Sequence, residues 1–200
     1  MKHVLLITVF IISSTLNVLA TAQYPDKIIY HGTAYNLHTN PLEPYFEKNP
    51  EKKPKSGTMS TALWRGYVAT FLVTNQVMQL KDVQIEVHVE KEEGKYPYEW
   101  KSVVNKVVPE NGPLKIDWFT GILVLPYGEL VNYVHMGYGS TYENYILLEV
   151  KEGKITGKRE FDYKQYETFK AKQFAEYKKD QRIQRVIRET EKRRMGNRGN

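Results

Sequence analysis

The residues best equipped for chemistry lie close together in the last third of the chain. Between Trp118 and Val150 the sequence reads WFTGILVLPYGELVNYVHMGYGSTYENYILLEV, and it places His135, Ser140, Tyr142 and Glu143 within nine positions. A histidine, a hydroxyl and a carboxylate are the parts of a Ser-His-acid nucleophile, in which the base must reach the serine and be oriented by the acid. The local order Gly137-Tyr138-Gly139-Ser140-Thr141 is not the G-x-S-x-G turn that presents such a serine. Strand alternation fixes the face His135 takes, and does not bring Ser140 to it. The simpler reading is a sheet histidine bonded to a neighbouring tyrosine or to backbone. If the chain is an enzyme, His135, Glu143 and Ser140 are its catalytic candidates.

Other chemistries find less support. Histidines 31, 38, 88 and 135 form no H-x-x-x-H or H-E-x-x-H pair, so no metal ligand set and no cofactor is expected. Glu86, His88 and Glu90 alternate onto one strand face and read as a solvated surface. Glycosidase chemistry needs two carboxylates across a sugar, and nothing pairs Glu99, Asp117, Glu129 and Glu143 in that way. Lys55-Ser56-Gly57 lacks the rest of a phosphate loop. With no cysteine in 200 residues, disulfides, thiolate metal sites and a cysteine nucleophile are excluded.

The fifteen tyrosines point instead to binding, because a tyrosine offers an apolar ring and a polar tip to a half-exposed surface. Trp64, Tyr133, Tyr138 and Tyr142 are the candidate contact residues, set among glycine-rich connections.

The elements that must position these residues follow from periodicity. Lys27–Leu37 reads as one strand, with Gly32 as a bulge. Four prolines and two charge runs make 38–57 an irregular loop. Leu63–Val73 alternates with apolar groups on both faces, as a central strand does. Thr74-Asn75-Gln76 is a turn, and 77–89 continues as a half-buried strand. Trp100–Val108 fits a short helix or an edge strand. Pro126-Tyr127-Gly128-Glu129 reads as a turn between two strands, and Lys151–Lys154 as another. Asp162 and Gln165 have the spacing of a capping box, and no Gly or Pro interrupts 163–194. The expected fold is mainly β, an antiparallel β-sandwich or open barrel of seven to nine strands in residues 23–162, followed in 163–200 by one long basic C-terminal helix that ends by Gly196 and a frayed tail.

Residues 1–22, MKHVLLITVFIISSTLNVLATA, have the form of a cleaved signal peptide: Lys2, an apolar run from Val4 to Ile12, and Ala20-Thr21-Ala22 before Gln23. The apolar run is too short to span a bilayer, and no transmembrane span is expected in the mature chain. Export to the periplasm or cell surface follows, which argues against nucleic acid as a partner.

Charge is segregated. Residues 23–150 carry twelve Lys and Arg against fifteen Asp and Glu, whereas 151–200 carry sixteen against eight. Lys178, Lys179, Arg182, Arg185, Lys192, Arg193 and Arg194 could hold an anionic surface, or could simply solvate the helix.

The phrases STALWRGYVATF (60–71) and WFTGILVLPYGELVNYVHMGYGSTYEN (118–144) resemble patterns in uncharacterised exported proteins of Bacteroidetes-type bacteria. The resemblance covers roughly residues 27–150 and implies a shared fold; it carries no activity and no site residue. The expected function is that of an exported, non-enzymatic protein that binds a protein or another envelope component. The alternatives are an envelope hydrolase of glycan or ester, and a structural protein tethered to anionic surfaces by its helix.

Overall fold

The structure, a computed structural model, describes residues 21–55, 60–89, 98–108, 114–179, 185–186 and 188–192. The signal-peptide reading of residues 1–20, Arg182, Arg193, Arg194 and the end of the basic helix lie outside the described residues.

Eight strands make one sheet: β1 (Asp26–Tyr30), β2 (Thr33–Leu37), β3 (Val68–Thr74), β4 (Val77–His88), β5 (Tyr98–Ser102), β6 (Gly121–Asn132), β7 (Thr141–Lys151) and β8 (Lys154–Asp162). Their order is β2-β1-β3-β4-β8-β7-β6, with β5 paired to β4 off that path. A short helix, α1 (Glu43–Lys48), follows β2, and α2 (Tyr163–Lys179) follows β8. The chain is therefore mainly β with a C-terminal helix, as its periodicity implies. The pairing is not wholly antiparallel, because β1 and β3 run parallel. A parallel neighbour needs a crossover, and the segment containing α1 and two single 3-10 turns supplies it.

Three two-residue hairpins organise the strands. His31-Gly32, Asn75-Gln76 and Glu152-Gly153 all have positive φ at both central residues, the type I′ geometry whose twist matches that of paired strands. The first of these splits the expected strand 27–37 into β1 and β2. Leu63 also falls before β3, in a 3-10 turn capped by Ser60 Oγ, which accepts from Ala62 N. Of the two alternatives for Trp100–Val108, the edge strand forms in its first part as β5, and a single 3-10 turn at Val104–Lys106 follows it in place of a helix.

The largest correction concerns Pro126–Glu129. It is not a turn: β6 runs through it, with Pro126 opposite Tyr145 and a register shift between Tyr127 and Leu130. Proline fits there because β6 is an edge strand, and its missing N–H points away from β7. Gly128 sits at φ +82 in the irregular stretch, where a Cβ would come 2.7 Å from Glu143 Oε2.

The sheet divides into two parts at the junction of β4 and β8. One is β2-β1-β3-β4 with β5, the other β8-β7-β6. On one side, among the described residues, the halves are paired at Val77 and Lys154, supported by Met78 N donating to Gly153 O and Ile155 N donating to Gln76 O, both 2.8 Å. On the other side, His38 N donates to Val124 O at 2.9 Å, and no ladder joins β2 to β6, so the sheet is open. Ile28, Phe71, Met78 and Val83 from the first half pack on Leu123, Leu125 and Leu148 from the second, all fully buried.

The outer face of β7 and β8 carries the helix. The capping box forms reciprocally: Gln165 N donates to Asp162 Oδ1 at 2.9 Å, and Asp162 N donates to Gln165 Oε1 at 3.0 Å. Tyr166 then stacks on Tyr145, and Phe169 on Phe161. Beyond that turn the helix leaves the sheet. Every residue from Lys170 to Lys179 is exposed, including Phe174 and Tyr177.

Candidate functional site

The catalytic candidates are not assembled. His135 is exposed, and its Nδ1 shares a 2.8 Å hydrogen bond with Tyr133 OH. Ser140 Oγ is engaged by its own loop, accepting from Val134 N at 3.0 Å and donating to Val134 O at 3.3 Å. Glu143 Oε2 accepts from Glu129 N at 3.0 Å and closes the irregular stretch in β6. Each group holds the β6–β7 connection in shape, and no described hydrogen bond links any two of them.

Of the four binding candidates, Trp64 and Tyr133 are exposed, Tyr138 is a packing residue and Tyr142 lines a groove. Tyr138 lies flat on His38 with ring centroids 4.8 Å apart and donates to Asn40 Oδ1 at 2.9 Å. Burial pushes its phenol up to about 12. Tyr142 meets the same His38 ring edge-on at 5.8 Å.

The groove follows the open seam between β2 and β6. Tyr35, Tyr127 and Tyr142 form its aromatic walls, Asn36 and Thr33 its polar rim on β2, and Lys27 its charged side chain; its volume is about 530 Å³. Tyr35 and Tyr127 approach edge to face at 6.2 Å across the seam. The opening has a local cause. Hairpin alternation turns the backbone groups of Ala34, Asn36 and His38 toward β6, and His38 finds Val124. Two residues further along β6 stands Pro126, which has no N–H to offer Asn36. The seam therefore closes at His38 and opens at Asn36. Replacing Pro126 by Val restores that donor. The expected result is a zipped seam, with the new amide hydrogen of residue 126 exchanging at least about tenfold more slowly than an unprotected amide and the groove shrinking; exchange there at the unprotected rate would refute this origin of the opening.

Beneath one end of the seam lies a buried polar network that the sequence reading missed. Asp26 is fully buried; Oδ2 accepts from Arg65 Nη1 and Oδ1 from Ala69 N, both at 2.8 Å. Arg65 also donates to Tyr24 O at 2.9 Å. Tyr67, fully buried, donates to Glu43 Oε1 at 2.6 Å, and Glu43 pairs with Lys53 at 3.2 Å. The network ties β1, α1 and the segment before β3 together, so it fixes the rigid side of the groove. The available signal was an arginine inside the apolar run LWRGYVATF, which demands a buried acid.

Two titrations oppose one another here. Burial lowers His38 from the ordinary 6.5 to about 4. Between those values only the unfolded chain holds the proton, so His38 makes stability rise with pH across that window. Burial raises Asp26 from 3.8 to about 6, against the pull of Arg65. The folded chain then holds a proton that the unfolded chain has released, so Asp26 makes stability fall as pH rises from about 4 to 6. The wild-type chain should therefore show a nearly flat stability between pH 4 and 6. His38→Gln removes one arm, and its urea-unfolding free energy should decline by on the order of 2–3 kcal/mol from pH 4 to 6. A flat profile in the variant would contradict the Asp26 assignment.

Among the described residues, no cluster of three His, Cys, Asp or Glu side chains is arranged to hold a metal ion. No protein-family model matches the chain, and neither a curated protein nor a solved structure matches it.

Proposed function

We propose that the chain is an exported, non-enzymatic binding protein of a bacterial envelope, periplasmic or on the cell surface, and that its ligand lies in the β2–β6 groove. The observation that carries the reading is the seam itself: a pre-formed cleft with three tyrosine walls, polar groups at the rim, and a buried ionic network holding one side rigid. The two half-sheets read as a flattened open barrel whose unclosed side is the working surface. The form of residues 1–22 supports export. A hydrolase gains no support from His135, Ser140 and Glu143: the first two are bonded within the β6–β7 connection, and Glu143 on β7 is bonded to Glu129 on β6.

The test is affinity capture from a native envelope extract with the full mature chain and with a Tyr127→Ser/Tyr142→Ser variant. Retention of envelope material by the first and its loss by the second is the expected result. Equal retention by both would remove the groove from the account.

A second reading, a tether to anionic surfaces, is favoured by the emergence of α2 from the sheet after Phe169. Its exposed part carries Lys170, Lys172, Lys178 and Lys179, and Arg185 and Lys192 lie in the helical turns beyond. No described helix is long and apolar enough to cross a membrane. A tether predicts sedimentation with anionic phospholipid vesicles at low salt, lost near 0.5 M salt, where the screening length falls to about 4 Å. Glutamine at Lys178, Lys179, Arg185 and Lys192 should abolish it too, while leaving capture through the groove intact.

A further inference from the structure

We propose that the groove continues across the outer face of the sheet to a second aromatic platform, Tyr24 with Trp100, and that the whole track receives a linear oligosaccharide bearing carboxylate groups. This rests on the reading of the seam as a binding site and names the ligand class for it.

Two concavities share the cross-strand pair Lys27 and Asn36. One is the seam groove; the other, about 250 Å³, lies between that pair and Tyr24, Trp100 and Gln84. The ladder puts them in line. Asn36 on β2 is opposite Lys27 on β1, Lys27 is level with Thr70 on β3, Val68 of β3 is opposite Gln84 on β4, and Gln84 is opposite Ser102 on β5, two residues beyond Trp100. From Tyr127 on β6 to Trp100 on β5 the track crosses six strands, about 24 Å at ordinary strand spacing, the reach of a short oligosaccharide.

The lining has the chemistry of sugar recognition. The C–H face of a pyranose ring is apolar and rests on an aromatic face, while its hydroxyls both donate and accept. The track has aromatic rings at its two ends: Tyr142 at the seam, with Tyr35 and Tyr127 reaching the opening from the core side, and Tyr24 edge-to-face with Trp100 at 5.7 Å at the other. Tyr24 and Trp100 are 45% and 42% exposed, open to a ligand. Between the ends stand the amides of Asn36 and Gln84, which donate and accept in the same way as hydroxyls. Lys27 is the charged residue lining both concavities, and no acidic side chain lines either, so one carboxylate at the centre is matched. A phosphate polymer needs several cations along its path, and Lys27 is the one that lines both concavities; a lipid chain needs a continuous aliphatic wall, whereas Pro25, Val68, Ala34 and Pro126 are interspersed with amides and rings.

The test divides a native envelope extract into a portion digested with protease and dialysed, which keeps polysaccharide, and a portion oxidised with periodate, which cleaves vicinal diols of sugars. Each is offered to the immobilised full mature chain, and retained uronic acid and total sugar are measured. The expected result is sugar retained from the protease-treated portion, nothing retained after periodate, and roughly tenfold less uronic acid retained by Lys27→Gln and by Trp100→Ala. These side chains are exposed, and far-ultraviolet circular dichroism will confirm that the variants fold. Material that survives periodate, disappears with protease and is lost in Tyr127→Ser/Tyr142→Ser would overturn the glycan assignment while leaving the groove as a binding site. Sugar retained equally by Lys27→Gln and Trp100→Ala would overturn the continuous track. Retention indifferent to the two tyrosines would overturn the underlying reading as well.

Discussion

Arg65→Met should destabilise the chain by about 3–5 kcal/mol at pH 8, because it strips a fully buried carboxylate of its ionic partner. Asp26 has no exposed surface, and Arg65 is 3% exposed. The pair is costly to bury, as the raised Asp26 pKa of about 6 attests even with the guanidinium 2.8 Å away. Its value therefore lies less in net attraction than in the penalty for having one member without the other. Without Arg65, Asp26 must be protonated to remain buried. The loss in Arg65→Met should then shrink as pH falls from 8 to 5. Pairing it with Asp26→Leu should recover a large part of the loss, with a remainder because Ala69 N would have no acceptor. Equilibrium unfolding in urea at the two pH values reads all of this. A single variant that loses less than about 1 kcal/mol, at the level of an exposed pair, would show that the pair is solvated.

Gly153→Val should cost at least about 3 kcal/mol, the range of substitutions that combine strain with a core clash. Gly153 sits at φ +74 in the β7–β8 hairpin, where a Cβ would lie 2.5 Å from the Ile116 carbonyl oxygen. Its own carbonyl accepts from Met78 N, and its N–H donates to Phe119 O. Those bonds lie at the one place where β4 and β8 touch, so displacing the turn parts the two half-sheets. Gly32 is the control. It has φ +80 in the same type of turn, with nothing within 4 Å of a Cβ. Gly32→Ala should therefore show only the conformational penalty of about 1–2 kcal/mol. Thermal unfolding of the two variants separates strain from packing. Equal losses would mean that the contact with Ile116 contributes nothing.

Features that depend on neighbours in the chain were legible in the sequence. The Asn75-Gln76 and Glu152-Gly153 turns, the alternation of β4 and the Asp162–Gln165 capping box are local, and each stands where its residues imply. The His31-Gly32 turn was read as a bulge because apolar residues continue on both sides of it. Pro126 was read as a turn because proline usually ends a strand; its tolerance in β6 depends on no strand forming a ladder with β6 on that side, which is a property of the whole sheet. The site was hidden for the same reason. Its walls come from β2 and β6, distant in sequence, and its rigid side from an Asp26–Arg65 pair that no spacing rule joins. Tyr142 was found because tyrosine is common on such surfaces. Tyr35 and Tyr127 looked like ordinary strand tyrosines until the seam placed them edge to face.

The most direct test of the groove is a solution spectrum of the ¹⁵N-labelled mature chain during titration with the soluble fraction of a native envelope extract. The account predicts amide shifts concentrated at Ala34, Tyr35, Asn36, Tyr127, Gly128 and Tyr142, with the helix unmoved. Shifts confined to Tyr133–Ser140 or to α2, or none at saturating extract, would contradict the claim that this protein binds its ligand at the open seam.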